Sequence, residues 1–354
     1  MRAGTSKAVF FAAASLPTNT EQRDRLLLKV MGSPDPYGRQ LNGMGGGLSS
    51  VSKVCIIGPS AAPECDIDYT FAQVDVERAV VDYTGNCGNC AAGVGVFAIE
   101  EALVPTTDGI TVVRAVNTNT RTRMNISVQV RDGKVPVEGS VALAGVAGTG
   151  APIYVEFLSP AGSVTGALLP TGSALDDIAG IPVSLVDATI PMVFVRALDI
   201  GADVTATPDA IDADHELMAN LARLRTRGAR LMQIPSSNAV PKIALVGPPL
   251  PFVGLDGAAH GSDASHLTVR VLSMGRCHRA IPITSAMCLA VAAQLDSGVV
   301  RASLDGKPPD EVTIAHPSGV STVGVSVSRD PTLSVASVSV LRTARRLMEG
   351  FVLV

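Results

Sequence analysis

Two stretches of this chain read as helices without a polar face, Cys90 to Leu103 and Ile283 to Leu295, both rich in Ala, Val and other small residues. A helix that is apolar all round cannot lie on a surface and has to be enclosed by other structure. Placed far apart in 354 residues, the two call for two enclosing shells, and the length is enough for two domains with separate cores. The shell material is legible as well. Apolar residues alternate over Thr111 to Val116, Met124 to Val130, Ile153 to Phe157, Met192 to Arg196, Leu267 to Ser273, Val320 to Val327 and Leu333 to Leu341, the period of half-buried strands. The 34 Gly and 23 Pro residues supply the turns that many short strands need. These signals read as a turn-rich, strand-dominated protein of two similar domains with one buried helix in each.

Two further helices have ordinary signals. Thr18-x-x-Glu21 reads as a capping box opening a helix that ends near Gly32, and Thr207-Pro208 reads as the cap and first-turn proline of a longer one. That longer helix places Leu217, Leu221, Leu224 and Leu231 on one face, with Arg223, Arg225, Arg227 and Arg230 as a solvated face elsewhere.

Each buried helix follows a polar turn that contains a cysteine. Before the first, Gly85-Asn86-Cys87-Gly88-Asn89 sets Cys87 beside the free N–H groups at the helix start, where an anion is stabilised and a thiol pKa can fall. Before the second, Gly275-Arg276-Cys277-His278-Arg279 holds Cys277, followed there by His-Arg rather than by a Gly-rich turn that would expose N–H groups. This pattern suggests a twofold internal repeat whose polar helix ends bind a small ligand.

A glycine-rich segment, Gly38 to Gly47, precedes Ser52-Lys53 and the strand Val54 to Ile57. It is neither a P-loop, which needs Gly directly before its Lys, nor a dinucleotide fingerprint, which needs a helix rather than a strand to follow. What it does is deliver Lys53 at the mouth of a strand. Cys87-x-x-Cys90 stands alone, with no second such pair and no thioredoxin-like context, and Cys55, Cys65, Cys90 and Cys288 read as small core residues. His215, His260 and His266 show no ligand spacing, so no metal site is expected, and His316 reads as a turn residue. Asp176-Asp177 and Asp212-x-Asp214 read as loop or cap residues.

A net charge of −4, no Trp and few other aromatics argue against nucleic acid as a partner. No apolar run reaches the roughly 20 residues of a membrane span, and Met1 to Lys7 has no signal core. With six cysteines in no compact framework, a cytoplasmic protein is expected. Homo-oligomerisation stays open.

Taken together, the motifs resemble one family. They are Arg2-Ala3-Gly4-Thr5-Ser6-Lys7 with Val9-Phe10-Phe11, Met31 to Asp35, Asn42 to Gly46, Ser52-Lys53-Val54, Gly85 to Asn89, Gly162-Ser163-Val164-Thr165-Gly166 with Leu169 to Gly172, Ser273-Met274-Gly275 with His278, and Thr343 to Arg346. In this order, across nearly the whole chain, they resemble the PrpF family of methylaconitate, methylitaconate, aconitate and oxalomesaconate isomerases. The resemblance implies the α+β, diaminopimelate-epimerase-like fold: two similar domains, taken as 1–185 and 186–354, each a strand-rich barrel around a buried central helix, with room for the last strands to cross back and the active site between the domains. It also implies movement of a C=C bond in a small unsaturated di- or tricarboxylate by 1,3-proton transfer, with no cofactor. The family's catalytic pair corresponds to Lys53 and Cys87, the lysine acting as a base in its neutral form. Thr5, Ser6, Ser52, Asn86, Gly88, Asn89, Thr165, Gly166 and His278 match or adjoin its substrate-contacting positions. Arg276 and Arg279 are candidate carboxylate clamps on their neighbourhood alone, since a guanidinium fork matches a carboxylate. Three departures bear on which acid is used: Ala3 and Ala8 stand where the family has Gly, Ala167 where a lysine is frequent, and Cys90 where a larger apolar residue is usual. Two alternatives are a racemase or epimerase using Cys87 and Cys277, and a non-catalytic accessory or metabolite-binding protein.

Overall fold

Strand and helix order repeats within the chain. The computed structural model describes residues 1–235, 237, 239–330 and 333–354. It divides into two compact units, Met1–Glu156 with Leu341–Val354, and Phe157–Val340. The first unit contains β1 (Arg2–Ala3), β2 (Ser6–Ala12), α1 (Thr20–Met31), β3 (Lys53–Pro59), β4 (Ile67–Val74), β5 (Val81–Asp82), α2 (Gly88–Glu100), β6 (Gly109–Asn117) and β7 (Arg123–Val130). A small hairpin, β8 (Val141–Leu143) and β9 (Val146–Gly150), precedes β10 (Ile153–Leu158), in which the first unit ends. The second contains β11 (Asp176–Ile178), β12 (Ile181–Ala188), β13 (Ile190–Arg196), α3 (Pro208–Ala213), α4 (His215–Leu231) and β14 (Lys242–Gly247). It continues with a hairpin, β15 (Phe252–Val253) and β16 (Ala259–His260), then β17 (Leu267–Ser273), β18 (Arg276–Cys277), α5 (Ile283–Ala293), β19 (Glu311–His316), β20 (Gly319–Ser328) and β21 (Ser334–Arg342). The chain returns to the first unit for β22 (Ala344–Arg345).

Pairing makes the repeat explicit. In the first unit β2 runs parallel to β3, β3 antiparallel to β4, β4 antiparallel to β5 and parallel to β6, and β6 antiparallel to β7. In the second, β13, β14, β17, β18, β19 and β20 reproduce that series pair by pair. The expected boundary after residue 185 falls inside β12, whose partners β11 and β13 both belong to the second unit, so residues 157–185 pack there.

Each apolar helix is enclosed as its composition requires. Helix α2 is buried from Gly88 to Ile99 and packs against β1, β2, β3, β6, β7 and β22. All of α5 is buried, against β12, β13, β19 and β20. Small residues permit close approach: a Cβ on Gly95 would stand 2.6 Å from Ile126 Cγ2.

The surface helices depart from expectation in four places. Asn19, not Thr18, caps α1, its side chain accepting from Gln22 N at 3.0 Å, because Asn caps at least as well as Thr and Gln22 then takes the third helical position. The helix after Thr207-Pro208 is two helices: Thr207 caps α3, Asp214 leaves helical geometry, and its carboxylate caps α4 by accepting from Leu217 N at 2.9 Å. Leu221 and Leu224 are buried as expected, but Leu231 at the frayed end is 43% exposed. Arg223, Arg227 and Arg230 are solvated, whereas Arg225 is half-buried and donates to the Ser237 carbonyl. Among the described residues no helix is long and apolar enough to cross a membrane.

Candidate active site

In the first unit the motif residues converge on the N-terminal end of α2. Cys87 is the N-cap residue, extended at φ −121° and ψ 98°, and its thiol makes no cap hydrogen bond. The backbone N–H groups of Gly88, Asn89 and Cys90 therefore open the helix without intrahelical partners, and the first intrahelical bond is Ala91 N to Cys87 O at 3.1 Å. The turn Gly4-Thr5-Ser6 clips onto this end. Asn89 Nδ2 donates to Thr5 Oγ1 at 3.0 Å, and Asn89 Oδ1 accepts from Thr5 N at 3.4 Å. Gly4, at φ +52°, lets the turn come so close that a Cβ there would lie 2.1 Å from Asn89 Oδ1. Ser6 on β2 is buried with Oγ 3.9 Å from Cys87 Sγ, and the Tyr69 hydroxyl on β4 donates to the Cys87 carbonyl at 3.3 Å.

Asn86 is the anomaly of this end. It is 3% exposed, yet neither its Oδ1 nor its Nδ2 has a hydrogen-bond partner. A buried amide left unpaired costs roughly 1–3 kcal/mol, so it points to a polar group that completes the site.

Lys53 opens β3 and is 8% exposed. Its ammonium donates to Gln73 Oε1 and lies 5.1 Å from the centre of the Phe71 ring, with no carboxylate partner among the described residues. Gln73 is held in turn by donating to Ser52 O at 2.9 Å and Ser49 O at 3.2 Å. The glycine-rich segment is fastened by Gln40, whose Oε1 accepts from Gly46 N and Gly47 N, both at 3.0 Å, while its Nε2 donates to Ser52 Oγ at 2.8 Å. Ser52 is fully buried and donates to Val74 O at 2.9 Å, so its hydroxyl is spent inside the core that presents Lys53.

The electrostatics of Cys87 reverse the sequence expectation. Its thiol is pushed well up, first by its hydrogen bond with Cys90 and then by burial, with Lys53 pulling the other way. The helix end does not leave a thiolate here. Its surroundings favour the protonated thiol.

In the second unit Thr165 lies in a turn organised by Asp187, a fully buried residue of β12. The Asp187 carboxylate accepts from Ser163 Oγ at 2.5 Å, Val164 N at 2.8 Å, Thr165 N at 2.7 Å and Thr165 Oγ1 at 2.9 Å. The Thr165 hydroxyl and amide are thus engaged within the turn, while Gly166 is exposed. His278 Nδ1 accepts from Ala280 N at 3.1 Å, which puts the neutral ring's proton on Nε2. Arg276 is exposed, and Arg279 pairs with Asp209 at 2.8 Å.

Cys277 is not the counterpart of Cys87. It lies in β18, with its N–H donating to Asp212 Oδ1 at 2.7 Å and its thiol pushed up to about 12 chiefly by burial. The residue that matches Cys87 at the start of α5 is Pro282. That end nevertheless has its own orphan: Ser285, in the first turn and 1% exposed, has an Oγ without a hydrogen-bond partner. Among the described residues no three His, Cys, Asp or Glu side chains form a group that could hold a metal ion.

The comparisons agree with these motifs. The family model described as PrpF protein matches residues 1–354. The chain is 40% identical over 368 residues to 3-methylitaconate isomerase of Eubacterium barkeri, covering 100% of this chain and 96% of that one. It is 40% identical over 359 residues to (4E)-oxalomesaconate Delta-isomerase of Novosphingobium sp., covering 100% and 96%. A crystal structure of methylitaconate-delta-isomerase superposes with a TM-score of 0.80 at 39% identity, over 99% of this chain and 93% of that one. A hydroxyproline epimerase from Agrobacterium vitis, at 13% identity and a TM-score of 0.52 over 94% and 80%, shares the fold alone. With its motifs, doubled strand order and full-length similarity all in agreement, this chain belongs to the PrpF family.

Proposed function

We propose that this chain is an isomerase of the cytoplasm that moves a C=C bond within a small unsaturated di- or tricarboxylate of the aconitate, methylaconitate, methylitaconate or oxalomesaconate type. The observation that carries the reading is the open start of α2, where unpartnered Asn86 and the free N–H groups of Gly88 and Asn89 surround a neutral Cys87 thiol.

In this reading a substrate carboxylate takes the Asn86 amide and the helix N–H groups. Lys53, as the free amine, removes a proton from the carbon conjugated to the C=C bond. The C–H electron pair becomes the new C=C bond, and the old one becomes the dienolate whose charge spreads onto that carboxylate. Donors fixed at the helix end stabilise this charge more as it grows, which is the condition for accelerating the step. The Cys87 S–H then gives its proton to the far carbon, and the ammonium of Lys53 restores the thiol. Ser6 steadies the sulfur, and Thr5 and Ser52 act by holding Asn89 and the Lys53 strand in place. In the second unit Gly166, His278 Nε2–H, Arg276, Arg279 and the open start of α5 are the proposed binding groups, with Thr165 shaping the turn.

Proton NMR in deuterated water on a panel of these acids tests the reading. An allylic shift of the double bond supports it, whereas inversion at a saturated α-carbon with no shift, or no turnover of any member, overturns it.

A further inference from the structure

One buried cation of the first unit has no part in the chemistry described above. Arg342, the last residue of β21, is 5% exposed. Its Nη1 donates to the Leu341 carbonyl at 3.0 Å, its Nε has no hydrogen-bond partner, and among the described residues no acid pairs with it. Burial alone draws its pKa down, to about 10, so the guanidinium is still charged at neutral pH. A buried charge without a counter-ion is costly, which makes Arg342 a group in want of an anion.

The ribbon that carries Arg342 sets where it lies. Strand β22 pairs with β1 through Ala344↔Ala3, and the pairing runs on as Gly4 N donates to Thr343 O at 2.9 Å. Every second residue of this ribbon meets α2. Arg346 meets its C-terminal end, pairing with Glu100 and Glu101 and standing 6.0 Å over the Phe97 ring. Ala344, buried beside Ala3, meets its middle, where a Cβ on Gly93 would stand 3.1 Å from Ala3 Cβ. Arg342, two residues earlier in the chain, then comes level with Thr5, whose amide and hydroxyl are both bonded to Asn89 in the first turn of α2. Arg2 pins the ribbon at this point, donating from Nη1 to the Thr343 carbonyl at 2.7 Å and to its hydroxyl at 2.8 Å.

We propose that Arg342 is a substrate-binding residue whose guanidinium completes the carboxylate site at the start of α2, together with the unpartnered Asn86 amide and the N–H groups of Gly88 and Asn89. The inference rests on the isomerase reading above. A buried cation level with the positive end of a helix adds to the potential there, and one anion stabilises both. The guanidinium fork fits a carboxylate, and its permanent charge balances a unit of substrate charge that neutral donors only disperse. It also gives the first unit a cation other than Lys53, which has to be uncharged to act as a base.

The test uses the full chain and propane-1,2,3-tricarboxylate, a saturated acid with no C=C bond to move. Its affinity is read by titration calorimetry in the parent, Arg342→Met and Arg342→Lys, beside KM for an accepted substrate and urea stability without any acid. Arg342→Met is expected to bind the tricarboxylate about 10–100-fold more weakly and to raise KM to match, the scale of one charge-assisted contact. It should stay as stable as the parent in urea, because the charge it removes has no acid partner. Arg342→Lys, which keeps the charge without the fork, should fall between the two in affinity and KM. Parent-like affinity and KM in Arg342→Met would overturn the role, and so would a urea stability that falls together with the affinity, the mark of a guanidinium that serves the fold alone. Failure of the parent to turn over any acid of the panel would instead overturn the isomerase reading, and the role with it.

Discussion

The two units wrap the same strand order around the same kind of helix and differ in what stands at its start. In the first, the N-cap is a thiol, Cys87, and in the second it is Pro282, which has neither a side-chain proton nor an N–H. Strands β3 and β14 both open with a buried lysine at the same place in the parallel pairing, Lys53 beside Ala8 and Lys242 beside Met192. Both helix starts hold an unpartnered buried polar group, Asn86 in one and Ser285 in the other. An unpartnered polar group at a helix start is therefore duplicated, whereas, among the described residues, such a lysine together with an N-cap thiol occurs once. Fold repetition thus supplies two polar helix ends, and the lysine and N-cap thiol to which the proposed proton transfer is assigned coincide in the first unit.

The largest effect that could break this contrast is at the lysines. Lys53→Met should lower kcat by about 10²–10⁴-fold, the usual contribution of a general base, while Lys242→Met leaves kcat within about tenfold of the parent. Steady-state kinetics on both variants decide it, and a larger loss at Lys242 would move the chemistry to the second unit.

Much of the contrast was legible in the sequence, and what was hidden is of one physical kind. Cys87, Asn86 and the two buried helices are visible because local spacing puts a polar turn directly before an apolar run. Lys53 is visible through its motif. The groups that hold these residues are not, because they arrive from distant strands: Gln73 meets Lys53 across an antiparallel pair, and Asp187 meets Thr165 from another strand. Asp187 did leave a trace, as the one charge in the otherwise uncharged strand β12. Cys277 misled because a cysteine just upstream of a buried helix looks the same whether it is the cap or the end of a strand, and only the pairing Leu272↔Cys277 separates the two.

A smaller effect is expected at the turn of the second unit. Asp187→Ala leaves the Ser163, Val164 and Thr165 donors without their acceptor, at about 1–3 kcal/mol for each that finds no water. Urea denaturation should show a loss of that order, and KM should rise more than kcat falls if the turn serves binding. Asp187→Asn, which keeps one acceptor oxygen and lets Ser163 accept instead, should recover most of both.

At the second helix end, Ser285→Ala removes a hydroxyl that has no protein partner, so the melting temperature should hardly move. KM should rise by about tenfold or less, the scale of one neutral hydrogen bond, with kcat retained. An unchanged KM would remove α5 from the binding apparatus.

Stability against pH offers a separate check on Cys277, which takes no part in the proposed chemistry. The Cys277 thiol is raised from 9.0 to about 12, so folding is linked to its protonated form: the contribution is fully present below pH 9 and is lost as pH rises from 9 toward about 12. Thermal melts between pH 8 and pH 11 should fall more steeply for the parent than for Cys277→Ala.

Removal of the proton by one residue of the first unit and its return by another can be followed as deuterium passing from solvent into an accepted substrate, by proton NMR in Lys53→Met and Cys87→Ala. With Lys53 as the base, Lys53→Met should exchange no carbon-bound proton, while Cys87→Ala should still exchange the proton at the starting carbon with the double bond shifting at least about tenfold more slowly. Exchange at the parent rate in Lys53→Met, or loss of exchange in Cys87→Ala with Lys53 intact, would contradict it.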